Sequence, residues 1–173
     1  MEYKILFTGI AGAGKTTAIA AVSEIPPLNT DVLNTDALLG KDTTTVGLDY
    51  GELTLDGGDK LRLYGTPGQV RFDFMWQILA RGALGLVILV DNRRPDPLAD
   101  LDLYLTGFRD LIKTTACVVA VGRLETHPHP SLDAFANHLE TKGVLCPVLQ
   151  TDVRDGAQVG QLLELLMFQL ETK

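Results

Sequence analysis

Two hydrophobic rhythms alternate along this chain. Leu84-Gly85-Leu86-Val87-Ile88-Leu89-Val90 and Ala116-Cys117-Val118-Val119-Ala120-Val121 are near-continuous apolar runs, the pattern of parallel strands covered on both faces. A shorter run covers Val144 to Leu149, and Tyr3 to Thr8 is also strand-like. Val46, Leu48 and Tyr50 alternate with polar neighbours, and Leu53 and Leu55 continue with the opposite parity. A bulge near Gly51 is therefore expected, to keep one face buried. Asp56-Gly57-Gly58-Asp59 is a hairpin turn that returns the chain through Leu61 and Leu63. Helical spacing marks Leu98, Leu101, Leu105, Phe108 and Ile112 as one stripe, and Val159, Leu162, Leu163, Leu166 and Leu170 as another. Leu132, Phe135 and Leu139 suggest a further helix. Lys15 to Glu24 reads as a helix closed by Ile25-Pro26-Pro27, since proline cannot continue the hydrogen-bond ladder. Leu28 to Thr44 is polar, threonine-rich and without period, and is read as a loop; connections of that length are usually functional or mobile.

The order of these elements predicts an α/β architecture: a six-stranded, mostly parallel sheet with one antiparallel strand and helices on both faces. Ligands of such sheets sit beyond the carboxyl ends of the strands. With 173 residues the chain is read as one domain, residues 1–173, able to bury a core without disulfides or metal staples. A hydrophobic share of 46% excludes widespread disorder. The net charge of −7 argues against a nucleic-acid partner, which would call for a basic stripe. No apolar run reaches the ~20 residues needed to span a bilayer. A charged apolar leader, an acylation glycine at position 2 and a C-terminal prenylation cysteine are all missing, so the expected location is the cytoplasm. Cys117 and Cys146 both fall in apolar runs and are read as reduced, structural thiols.

The chemistry begins directly after the first strand. Gly9-Ile10-Ala11-Gly12-Ala13-Gly14-Lys15-Thr16 matches GxxxxGK[ST] between a strand and a helix, the structural context of a phosphate-binding loop. Backbone N–H groups of such a loop curl into an anion nest, and the helix that follows aims its positive end at the same point. Gly9, Ala11, Gly12, Ala13, Gly14, Lys15, Thr16 and Thr17 are the expected phosphate contacts. Lys15 is expected to reach the β- and γ-phosphates and Thr16 to ligate Mg²⁺.

Leu63-Tyr64-Gly65-Thr66-Pro67-Gly68-Gln69 ends the third expected strand, and Thr43-Thr44-Thr45-Val46-Gly47-Leu48-Asp49 precedes it. With these motifs the chain resembles the Ras-like small GTPases, most closely their bacterial MglA-type branch, over nearly its whole length. The resemblance implies a P-loop NTPase fold of the Ras-like G-domain kind. It implies that Gly68 contacts the γ-phosphate, that Gln69 orients the attacking water, and that Thr45 closes on Mg²⁺ and the γ-phosphate. Gly65 departs from the pattern, standing where an aspartate usually holds the metal's water shell. Asp49 lies four residues after Thr45 on the same face of a strand, and either supplies the missing carboxylate or is a solvent-facing strand residue.

Guanine is read in that family by Asn-Lys-x-Asp; here the segment is Gly122-Arg123-Leu124-Glu125. Glu125 keeps the carboxylate on a longer arm, and Arg123 can lie along the base. Gly122 removes an amide that helps to tie the loop down. Thr151-Asp152-Val153-Arg154 takes the place of the Ser-Ala-Lys loop, with Asp152 and the Val153 amide at the base. The resemblance thus implies a switch that binds GTP and GDP with Mg²⁺ and hydrolyses GTP slowly to GDP and phosphate. No arginine occurs between Lys15 and Arg62, so the first switch offers no arginine finger. An activating or effector protein is expected, of roadblock fold by the same resemblance, docking on residues 28–45 and 66–76. The alternative is a nucleotide-binding scaffold with little or no hydrolysis. Phe72, Phe74, Met75 and Trp76 form either an effector surface or pins that hold the next helix to the core. Arg93 and Arg94 read as a solvated or partner-facing pair, and His127 and His129 as surface loop residues.

Overall fold

The computed structural model describes residues 1–34 and 44–173, with the backbone alone at 29–34, 44–47 and 72. The elements run β1 (Glu2–Gly9), α1 (Lys15–Val22), β2 (Leu28–Asn34), β3 (Thr44–Thr54), β4 (Lys60–Gly65), a 3-10 turn (Val70–Phe72), α2 (Phe74–Ala80) and β5 (Ala83–Asp91). They continue through α3 (Pro97–Gly107), α4 (Arg109–Thr114), β6 (Ala116–Gly122), α5 (Leu132–Thr141), β7 (Val148–Gln150) and α6 (Gly156–Glu171). One sheet forms in the order β2-β3-β4-β1-β5-β6-β7. β4, β1, β5, β6 and β7 are mutually parallel, and β3 runs against them. This is the expected α/β class with all six expected strands and one antiparallel strand.

A seventh strand is added at the edge. β2 pairs antiparallel with β3, from Leu28 opposite Tyr50 to Asn34 opposite Thr44, in a stretch read from the sequence as loop. A ladder needs only backbone donors and acceptors, so polar Asn29, Thr30 and Asp31 form one without any apolar period.

Apolar side chains pack on both faces of the sheet. On one, Ile5, Phe7, Leu61, Leu63, Val87 and Leu89 meet Ile19 of α1 and Val159, Leu162, Leu163 and Leu166 of α6. On the other, Leu6, Leu86, Ile88 and Val119 meet Trp76, Leu101, Tyr104, Phe108, Phe135 and Leu139. Each fully buried leucine contributes about 1.5–3 kcal/mol of transfer free energy. This two-sided core explains the parity change in β3. Leu48 packs with the second cluster and Leu53 and Leu55 with the first, while the β3–β4 register runs unbroken from Asp49 opposite Gly65 to Thr54 opposite Lys60. The bulge expected near Gly51 is absent because neither face has to be kept dry at the other's expense. Gly51 instead lets α1 approach, since a Cβ there would lie 2.6 Å from Ile19 Cγ2 and 2.8 Å from Ser23 Oγ.

Two further expectations are corrected. The stripe Leu98 to Ile112 belongs to two helices, not one, with the break at Phe108. Trp76 fills the space beside Gly107, where a Cβ would come within 2.7 Å of its ring. The last strand begins at Val148 rather than Val144, so Cys146 precedes it and is half-buried, whereas Cys117 lies buried in β6. Both cysteines are unpaired thiols. Among the described residues no helix is long and apolar enough to cross a membrane.

Candidate functional site

The loop Gly9–Gly14 leaves β1 and enters α1 at the carboxyl end of the sheet. Gly14 caps α1 at φ 102, a left-handed conformation that glycine adopts without a Cβ penalty. A Cβ on it would also lie 2.7 Å from Val153 Cγ2. The segment after β7 is therefore seated directly on the loop. Lys15 is buried, and its Nζ donates to the carbonyls of Gly9 at 2.6 Å and Ile10 at 3.1 Å. Burial lowers its pKa to about 8, and the Asp49 charge opposes that shift.

Thr16 and Asp49 come together. Thr16 Oγ1 donates to Asp49 Oδ2 at 2.6 Å across 33 residues of sequence. Asp49 stands opposite Gly65 in the β3–β4 ladder, and a Cβ on Gly65 would lie 3.1 Å from both Asp49 Cβ and Oδ2. The two positions are thus alternative bases for one carboxylate on the same face. The Thr45 side chain lies outside the described residues, as does the segment 35–43 of the expected docking region.

The Thr66-Pro67-Gly68-Gln69 turn rests on the phosphate loop. Thr66 donates its amide to Phe7 O at 2.9 Å, and its hydroxyl pairs with that of Thr8 at 2.7 Å. A Cβ on Gly68 would lie 2.7 Å from Ala11 Cα and 2.9 Å from Lys15 Nζ, so this turn touches the loop and its lysine together. Gln69 is exposed. Behind the turn, Trp76 Nε1 donates to Pro67 O at 3.4 Å while the indole stacks on Phe108 at 5.3 Å. Met75 and Trp76 are buried pins, whereas Val70, Phe74 and Ile78 face outward. The Phe72 side chain is outside the described set.

From the loop a cavity of about 720 Å³ extends over the ends of β6 and β7. Gly12 to Thr17, Arg123, Glu125, Asp152 and Val153 line it, so the phosphate-loop and base-loop candidates share one cleft. Arg93 lines it too, and is exposed, as expected of a solvated residue. Its guanidinium binds Asp91 through Nε at 3.2 Å and Nη2 at 3.0 Å, while Arg94 pairs with Asp100 at the surface. Burial works to raise the Asp91 pKa, but the Arg93 side-chain and amide bonds, with Arg123 3.6 Å away, hold it below the ordinary value. Arg123 adopts φ 65, in the left-handed region, and its Nη1 lies 3.6 Å from Asp91 Oδ1. Asp152 is engaged by Arg154 through the amide, Nε and Nη2, and these bonds push its pKa down to about 2. His127 and His129 are exposed loop residues, as expected. The polar pair Asp91-Asn92 went unremarked in the sequence, although it ends an apolar run where ligand sites of parallel sheets lie.

A family model described as "conserved hypothetical ATP binding protein" matches residues 7–102, just over half of the chain. The chain belongs to that family. It is also similar to the GTP-binding protein ypt4 of Schizosaccharomyces pombe, at 31% identity over 45% of this chain and 36% of that protein. The Ras-related protein Rab-8A of Gallus gallus is 34% identical over 51% of this chain and 39% of its own length. The Ras-related protein Rab-3 of Caenorhabditis elegans is 25% identical over 69% and 51%. The chain thus spans about a third to a half of the length of these relatives.

Proposed function

We propose that this chain is a small guanine-nucleotide-binding switch of the Ras-like kind, read here as one domain over residues 1–173. The observation that carries the reading is the convergence on Lys15 and Thr16: Asp49 of β3 meets Thr16, and Gly68 after β4 meets Lys15. Both segments that follow the first helix thereby touch the place where a terminal phosphate would lie, so its presence or loss has a direct route to residues 44–76. A P-loop that only anchors a cofactor needs no such contacts.

In this reading the loop amides and Lys15 take the phosphates, Lys15 exchanging its Gly9 and Ile10 carbonyl acceptors for phosphate oxygens. Thr16 and Asp49, joined by Thr45, are the oxygen donors for Mg²⁺, a hard cation suited to hydroxyl and carboxylate ligands. When bound, that ion neutralises charge on the β- and γ-phosphates. Gln69 orients a water that attacks the γ-phosphorus as the bond to the β-bridging oxygen breaks, leaving GDP and phosphate. Arg123 covers the base, and Glu125 accepts from the N1–H and N2–H₂ groups of guanine, donors that adenine does not present. That complementarity favours guanine despite the ATP in the family's description, and agrees with the GTP-binding name of the ypt4 relative.

With no arginine between Lys15 and Arg62, intrinsic hydrolysis is slow, and a partner raises it by supplying a cation at the γ-phosphate; arginine fingers contribute on the order of 10³–10⁵ in rate. The exposed Val70 and Phe74 beside Gln69 suit such a partner. Membership of the MglA-type branch, with a roadblock-fold partner and a cytoplasmic setting, extends the same proposal. The test is to denature the purified protein, identify released nucleotide by chromatography, and titrate fluorescent GDP and ADP with Mg²⁺. Guanine nucleotide bound at micromolar affinity or better, and at least tenfold over adenine, is the expected result. Equal affinities defeat the guanine assignment, and no binding of either defeats the switch.

A further inference from the structure

Loop 123–131, which brings Arg123, Glu125 and Thr126 to the cavity, contains no helix or strand of its own. Its internal bonds join only Arg123, Thr126 and His127 among the described residues: His127 N–H donates to Arg123 O at 2.9 Å, Thr126 Oγ1 to the same carbonyl at 3.4 Å, and Thr126 Oγ1 pairs with His127 Nδ1 at 2.9 Å. Gly122 at its root has no side chain to tie it, although a Cβ there would meet Val90 O and Thr151 O only at ordinary contact distances of 3.6 and 3.7 Å. The tie comes from the neighbouring strand. Asn92, directly after β5 and 3% exposed, donates Nδ2 to His127 O at 2.6 Å and to Pro130 O at 3.0 Å. Its backbone N–H donates to Gly122 O at 3.2 Å. One residue thus holds the root of the loop, a carbonyl at its middle and another near its end.

We infer that Asn92 is the positioning residue of the base-recognition loop, setting Glu125 and Arg123 for the nucleobase while leaving the phosphate subsite alone. The amide acts through its two N–H donors. Its Oδ1 is buried with no hydrogen-bond partner among the described residues, so the two N–H donors carry the contacts this side chain makes. A buried amide in a dry environment holds its acceptors in a fixed geometry, and preorganised contacts lose less on binding than those ordered by the ligand. Asn92 does not line the cavity, so its effect on the base is exerted through the loop.

This inference rests on the nucleotide-switch reading. The experiment compares wild type, Asn92→Ala and Asn92→Asp for fluorescent GDP affinity and for competition by pyrophosphate, which fills the phosphate subsite without a base. Asn92→Ala is expected to weaken GDP by about 10- to 30-fold, on the scale of losing two hydrogen bonds, with pyrophosphate unchanged within twofold. Asn92→Asp, which sets a carboxylate against two carbonyls, should weaken GDP at least as much. GDP affinity kept within twofold in both variants overturns the inference, as does an equal loss of GDP and pyrophosphate. Hydrogen exchange on the wild type tests it without substitution. The amides of Leu124, Glu125, Thr126, His127 and His129 should exchange at similar rates with and without GDP, because Asn92 orders the loop before the base arrives; a more than tenfold slowing by GDP overturns it. A wild type that binds GDP no better than pyrophosphate defeats the base-site reading itself and this inference with it.

Discussion

Moving one carboxylate across the β3–β4 ladder tests the site most directly. Asp49 and Gly65 are directly opposed, and a Cβ at 65 would lie 3.1 Å from Asp49 Cβ, nearer than the usual 4.5–5.5 Å of opposed pairs. Side chains at the two positions therefore occupy nearly the same volume beside Thr16. Asp49→Gly removes the 2.6 Å charge-assisted bond to Thr16 Oγ1 and the carboxylate proposed for Mg²⁺. Loss of groups that orient a metal typically costs 10- to 100-fold in metal affinity, or about 1.4–2.7 kcal/mol. The extra strand glycine costs folding a further ~0.5–1 kcal/mol. In Asp49→Gly/Gly65→Asp the glycine count is unchanged and the carboxylate enters from the other strand without the Cβ clash. The assay is the release rate of fluorescent GDP against free Mg²⁺. Asp49→Gly should move the midpoint 10- to 100-fold upward, and the exchange variant should return it to within about threefold of wild type. Gly65→Asp alone should lower thermal stability, because it puts like charges directly opposite each other. A midpoint for Asp49→Gly within twofold of wild type would refute the reasoning, as would an exchange variant that folds normally yet binds Mg²⁺ no better than Asp49→Gly.

Gly68→Ala drives a methyl to 2.7 Å from Ala11 Cα and 2.8 Å from Ala11 N; these are backbone atoms that cannot rotate away, so an overpacking loss of about 1–3 kcal/mol is expected in chemical denaturation. Trp76→Ala empties a site that is 2% exposed, stacked on Phe108 and packed against Tyr104, and should cost about 3–5 kcal/mol by circular dichroism; a loss under 1 kcal/mol would show that this helix is not pinned. Asp91→Asn should cost about 1–2 kcal/mol at pH 7, a charged hydrogen-bond contribution discounted for the solvent-facing ends of Arg93 and Arg123. Because the folded pKa of Asp91 lies below its unfolded value, its contribution is complete above the ordinary carboxylate range and fades as pH falls through the lowered folded value. The gap between wild type and Asp91→Asn in urea melts should therefore shrink below about pH 4, and a gap constant down to pH 2 would contradict the pairing.

The covalent order of residues was enough to place the phosphate loop, the parallel strands and the second motif at Gly68-Gln69, because each rests on local spacing: a motif between strand and helix, a continuous apolar run, a turn at a strand end. Edge strand β2 was invisible for the complementary reason, since its ladder is made of backbone groups and leaves no side-chain signature. The break at Phe108 and the smooth register through Gly51 were equally hidden, for they follow from Trp76 and from a core on both faces, neither of which is a property of the segment itself. For Asp49 the sequence left two roles open, and only the register of β3 sets its carboxylate against Thr16 and opposite Gly65. Asp91 and Asn92 gave no signal beyond their place at the end of a strand, and the pairing of the exposed Arg93 with Asp91 was not legible either. Local chemistry is written in the order of residues; which groups face one another across 33 or more positions is decided only when the strands take their register and the helices close over them.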